Sequence, residues 1–112
     1  EMRDFVDSFD SEMVGAYFDT GNCMLYGHPV HWIEILDKRI FAVHLKDFRV
    51  NVGNLDGFVD LLAGECDFHA CFEAFGKVGY NGQYTIEYVP PTLGAAEKGI
   101  AALKVLEERE GV

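Results

Sequence analysis

Three short apolar runs in this chain each carry one ionisable residue at about the same depth, and stretches with helical spacing separate them. The runs are residues 14–20 (VGAYFDT), 41–46 (FAVHLK) and 83–89 (QYTIEYV). Pro29 opens a helix whose apolar face is Trp32, Ile33, Leu36 and Ile40; proline is tolerated there because the first helical N–H has no partner to lose. Asp67 N-caps a helix over residues 68–78, with Phe68, Cys71, Phe72 and Phe75 on one face. Met2 to Phe9 reads as an opening helix. Pro90-Pro91 ends the third strand, and residues 93–108 form a last helix, apolar at Ile100, Leu103 and Leu106. Strands that alternate with helices in this way lie parallel and are joined by right-handed crossovers. The expectation is a single α/β domain over residues 1–112.

Side chains alternate across a strand. Asp19 therefore shares a face with Tyr17 and Gly15, His44 with Ala42 and Lys46, and Glu87 with Thr85 and Val89. Val43, Leu45, Ile86 and Tyr88 point the other way, under the helices. A lone buried carboxylate is expensive, so buried charges pair or bind metal. An aspartate, a histidine and a glutamate converging from three parallel strands are suited to a divalent ion: Mn²⁺, Mg²⁺, Co²⁺ or Zn²⁺. The loop over residues 48–66 is long for a βα connection, and such loops carry function at the C-terminal ends of strands.

Charge narrows the partners. The formal net charge is −10, with nine Lys and Arg, so the basic footprint of a nucleic-acid binder is missing. No apolar run reaches the roughly 18–20 residues of a membrane span. Residues 1–10 are acidic and mixed, unlike a signal peptide. Cys23, Cys66 and Cys71 form an odd set without a CxxC pair, which fits reduced thiols in a cytoplasmic protein.

Three words in the sequence carry a family likeness. Residues 14–22 (VGAYFDTGN) resemble the aspartate strand of the xylose-isomerase-like TIM-barrel superfamily. Residues 39–47 (RIFAVHLKD) are similar to its next strand, H-x-K-D, and residues 79–87 (GYNGQYTIE) to its final strand, G-Y-x-G-x-x-x-x-E. The likeness covers nearly the whole chain, and its flavour is the sugar-phosphate isomerase/epimerase branch. The resemblance implies the C-terminal three βα units of a (β/α)₈ barrel. It implies Asp19, His44 and Glu87 as metal ligands, Mn²⁺ foremost, with Glu87 also an acid/base group. Asn22, Lys46 and Arg49 fall where such enzymes contact substrate. The implied chemistry removes a proton beside a ketose carbonyl, through a metal-stabilised enediolate on a sugar or sugar phosphate.

A full barrel takes about 250 residues. The partner glutamate of the family's two-base mechanism is absent here, and neither Glu1 nor Glu12 lies on a suitable strand. The chain is therefore expected to be inactive alone. It should hide its open inner face by self-association or against the missing barrel half. Two alternatives stand beside the isomerase or epimerase: an inosose-type dehydratase on the same barrel, and a non-catalytic truncated domain. The apurinic endonucleases of this barrel are disfavoured, because Asn22 stands where they resemble a D-x-x-H histidine.

Overall fold

The computed structural model describes residues 1–88 and 93–112. Its elements in chain order are α1 (Met2–Asp7), β1 (Ala16–Asp19), α2 (Pro29–Leu36), β2 (Ile40–Leu45), β3 (Asp47–Phe48), β4 (Phe58–Val59), α3 (Phe68–Lys77), β5 (Tyr84–Ile86) and α4 (Ala95–Glu110). β1, β2 and β5 form one parallel sheet with β2 in the middle. Neighbours in the sheet are successive βα units, the order expected of a segment of a barrel wall. The sheet is open, and no closed barrel forms among the described residues. No helix among them is long and apolar enough to cross a membrane.

One face of the sheet makes the core. Phe18, Val43 and Leu45 pack there against Ile33 and Leu36 of α2 and Phe68, Cys71, Phe72 and Phe75 of α3. Ile33 and Val43 have no exposed surface at all. The Asp67 cap forms as expected: its carboxylate accepts the Ala70 N–H at 3.0 Å. On the opposite face Tyr17 remains 56% exposed and Thr85 is also exposed, so the surface that would line a barrel meets water.

Four readings change. Ile40 is not on the face of α2. That helix stops at Leu36, the chain turns at Asp37 with φ of 51°, and Ile40 becomes the first residue of β2. α4 starts later than expected and buries Ala95, Gly99, Ala102 and Leu106, while Ile100 is 55% exposed. Its seam is made of small residues because the helix sits close to the sheet. A Cβ on Gly99 would come within 3.1 Å of Ile86 and Tyr88. The stretch over 48–66 is not an open loop: β3 and β4 pair antiparallel within it. The third strand ends at Ile86, and the readings at Val89 and Pro90-Pro91 lie outside the described residues.

Candidate metal centre

Strand register brings the ionisable residues together. Asp19 pairs with His44 across β1 and β2, and His44 with Thr85 across β2 and β5. Glu87, two residues past Thr85, thus lies on the same face. Its N–H still bonds the Leu45 carbonyl at 3.2 Å, which extends the pairing beyond the strand proper. All three side chains therefore stand at the C-terminal ends of adjacent parallel strands.

The Asp19 carboxylate is held from one side only. Its Oδ1 accepts the N–H groups of Gly21 at 2.9 Å and Asn22 at 2.7 Å, as the chain turns into the 3₁₀ segment Asn22–Leu25. Its Oδ2 is buried and has no hydrogen-bond partner among the described residues. That orphaned oxygen lies 3.6 Å from His44 Nδ1, and Nδ1 lies 3.8 Å from Glu87 Oε2. One ligand atom from each of Asp19, His44 and Glu87 falls within 4.8 Å of the others. Two donors on an ion with bonds of about 2.0–2.2 Å sit at most about 4.4 Å apart, so small side-chain shifts suffice to close the trio on one. A buried acceptor without a donor, facing an imidazole and a second carboxylate, fits a divalent cation.

Electrostatics separates the two carboxylates. Burial pushes the Asp19 carboxyl above its usual range, against the pull of the Asn22 N–H and the Lys46 charge. Glu87 is held below the usual range, chiefly by its hydrogen bond from Lys46. The Tyr17 ring stands edge-on to the His44 imidazole, with centroids 4.2 Å apart, and limits how that ring can turn.

Lys46 is not a solvated strand end. It is 5% exposed, and its Nζ donates to Glu87 Oε2 at 2.7 Å and to Asn22 Oδ1 at 3.1 Å. Arg49 is elsewhere: it is exposed, its guanidinium leans on the Ala63 carbonyl at 3.5 Å, and it makes no hydrogen bond or ion pair with the trio among the described residues. Three supporting residues were not read from the sequence. Thr20 is fully buried, and its Oγ1 donates to the Lys46 carbonyl at 2.7 Å and accepts the Lys46 N–H at 2.9 Å. Asp47, 1% exposed, accepts the N–H groups of Phe48, Gly64 and Cys66 at 2.8–3.0 Å and so gathers the long connection. Phe58 places its ring 4.1 Å from Lys46 Nζ. Thr20 and Asp47 stand beside site residues in the family-like words, but nothing local foretells their partners. Glu65 serves the connection, with its carboxylate on the Val50 N–H at 3.2 Å.

Comparison with known proteins gives a consistent picture. The sequence profile of the xylose isomerase-like TIM barrel family matches residues 1–107. Two curated relatives are named inosose dehydratase. The one from Geobacillus thermodenitrificans (strain NG80-2) is 28% identical over 102 residues, covering 78% of this chain and 34% of its own length. The one from Bacillus cereus (strain AH820) is 26% identical over 129 residues, covering all of this chain and 43% of its own length. The chain thus spans less than half the length of either. Among solved structures, a xylose isomerase domain protein from Planctomyces limnophilus superposes with a TM-score of 0.75 at 23% identity, over 96% of this chain and 39% of that one. The IolI protein, described with a bound zinc atom, superposes with a TM-score of 0.78 at 20% identity, over 98% of this chain and 42% of that one. These two likenesses concern the fold.

Proposed function

Because the chain belongs to the xylose isomerase-like TIM barrel family, we propose that it is the C-terminal part of a metal-dependent enzyme that removes a proton beside the carbonyl of a keto sugar or inosose. The observation that carries this reading is the buried Asp19 Oδ2, without a hydrogen-bond partner among the described residues and facing His44 and Glu87. Asp19, His44 and Glu87 would hold the ion, Mn²⁺ foremost, with Zn²⁺, Co²⁺ and Mg²⁺ as other fits to an oxygen-rich set with one imidazole. The zinc described for IolI supports a divalent ion in this fold. When bound, the ion supplies Lewis acidity that stabilises the enediolate oxygens.

The chain's own residues divide the remaining work. Glu87, kept anionic by Lys46, is the group that accepts and returns the proton. Tyr17 holds the imidazole plane, and the Asn22 side chain stands beside the trio, within reach of a substrate hydroxyl. A second acid/base group and any further ligand come from barrel strands outside these residues, so residues 1–112 alone are inactive and self-associate through the exposed inner face or meet that half. The proton can return to the neighbouring carbon or to the opposite face, giving isomerisation or epimerisation. Alternatively, a hydroxyl leaves as water from the adjacent carbon. The two relatives named inosose dehydratase favour this second outcome as the alternative reading.

The test is proton exchange. The full-length protein with Mn²⁺ should wash deuterium from D₂O into the position beside the carbonyl of an inosose or ketose. The product then tells isomer from dehydration product. Absence of both exchange and product with ketoses, ketose phosphates and inososes would refute the reading.

A further inference from the structure

Lys46 is placed to shape the site rather than to meet a ligand. Its backbone is clamped on both sides by Thr20 Oγ1, at 2.7 and 2.9 Å. Its Cβ and Cγ run close to Gly21, where an added Cβ would stand 3.0 Å from each. A Cβ at 21 would press on the stem, with the Lys46 carbonyl carbon also only 3.1 Å away. The ammonium then reaches Glu87 Oε2 at 2.7 Å and Asn22 Oδ1 at 3.1 Å. On its remaining side lies the Phe58 ring, 4.1 Å away. Two oxygens and an aromatic face use the directions in which an ammonium can donate.

Phe58 reaches that place through the connection between β2 and α3. β3 and β4 pair Phe48 with Phe58, and their rings lie 5.2 Å apart. Phe48 is fully buried, and Gly57 is needed beside it because a Cβ there would run into the Phe48 ring. Asp47 draws Gly64 and Cys66 back to the strand end and closes the excursion. The long connection thus ends as a lid on one lysine.

We propose that Lys46 is a positioning residue that fixes the Glu87 carboxylate and the Asn22 amide around the Asp19–His44–Glu87 trio, and that Phe58 completes its seat. The proposal rests on the reading of that trio as a metal centre. A charge-assisted hydrogen bond is short and directional, and here its ammonium end is buried while the Glu87 side chain is 36% exposed. Without it, Glu87 is free to take other rotamers, and a carboxylate displaced by about 1 Å can cost about 100-fold in rate.

The experiment uses the full-length protein loaded with Co²⁺, whose visible absorption reports ligand geometry. Lys46→Met should still bind Co²⁺ but with an altered spectrum, because Glu87 has moved. Phe58→Leu should shift the spectrum the same way by less. With an inosose as substrate, Lys46→Met should lose about 100-fold in kcat while KM stays within about threefold. Wild-type spectra in both variants, or a raised KM with unchanged kcat, would overturn the proposal; the latter would make Lys46 a substrate contact. Phe58→Leu decides the matter if Lys46→Met does not fold, and the Co²⁺ measurement needs no turnover. His44→Ala is the separate control: if it keeps the wild-type Co²⁺ spectrum, the metal reading itself fails, whatever Lys46 does.

Discussion

Asp19 Oδ2 lies 3.6 Å from His44 Nδ1 and accepts no hydrogen bond among the described residues, although the carboxylate is buried. Burial raises the Asp19 carboxyl above the ordinary aspartate value of 3.8. A group raised in the folded state contributes stability that is present below its unfolded value and lost as pH rises through the folded one. The metal-free protein should therefore lose stability as pH climbs from 3.8 through the raised value. Asp19→Asn keeps an oxygen for the Gly21 and Asn22 N–H groups and removes the charge. At neutral pH it should raise the Tm of the metal-free protein and abolish the rise that added Mn²⁺ gives the wild type. Thermal melts with chelator and with Mn²⁺ check both signs.

Asp47 and Gly64 form a tight joint. A Cβ on Gly64 would collide with the Asp47 carboxylate and crowd the Phe48 carbonyl. Gly64→Ala should cost about 1–3 kcal/mol by overpacking. Asp47→Asn should cost about 1–3 kcal/mol, since an amide nitrogen cannot accept an N–H that the carboxylate took. Both should speed amide exchange over residues 48–66 more than in the sheet. Uniform exchange across the chain would contradict the joint.

The observed face of α4 gives a paired test. Leu106 is 1% exposed and Ile100 is 55% exposed. Leu106→Ala should cost about 2–5 kcal/mol, the range for a buried leucine. Ile100→Ala should stay within about 0.5 kcal/mol, as for a surface change. Urea unfolding of both variants separates this face from the one expected from apolar spacing alone.

His69 Nδ1 lies 2.8 Å from Glu110 Oε2 and ties α3 to the end of α4. The Glu110 carboxylate raises the His69 pKa above the ordinary histidine value of 6.5. The tie is then fully present below 6.5 and is lost as pH rises through the raised value. The Tm gap between wild type and His69→Gln should be largest at about pH 6 and should shrink at about pH 9. A gap that widens with pH would contradict the sign.

The trio was legible because a strand repeats every second residue. Asp19, His44 and Glu87 could be placed on one face from alternation and from the large apolar residues beside them, and the parallel direction of the strands follows from the helices between them, while the register itself is seen only in the structure. The burial of Lys46 was not legible. A lysine one residue past a strand reads the same whether it meets water or a glutamate 41 positions away. The same holds for Thr20, whose partner is 26 positions distant, and for Phe58, whose place depends on the pairing of β3 with β4. On α4, apolar size pointed to Ile100, while proximity to the sheet selected Gly99 and Ala102.

The central claim is that Asp19, His44 and Glu87 hold one divalent ion, and calorimetric titration of Mn²⁺ into the chelator-treated full-length protein tests it most directly. The wild type should bind one equivalent. Losing a partner outside the ligand set already weakens metal sites by about 10–100-fold, so His44→Ala should weaken binding by more than about 100-fold. A wild type that binds no divalent ion, or a His44→Ala variant that binds Mn²⁺ as the wild type does, would contradict the account.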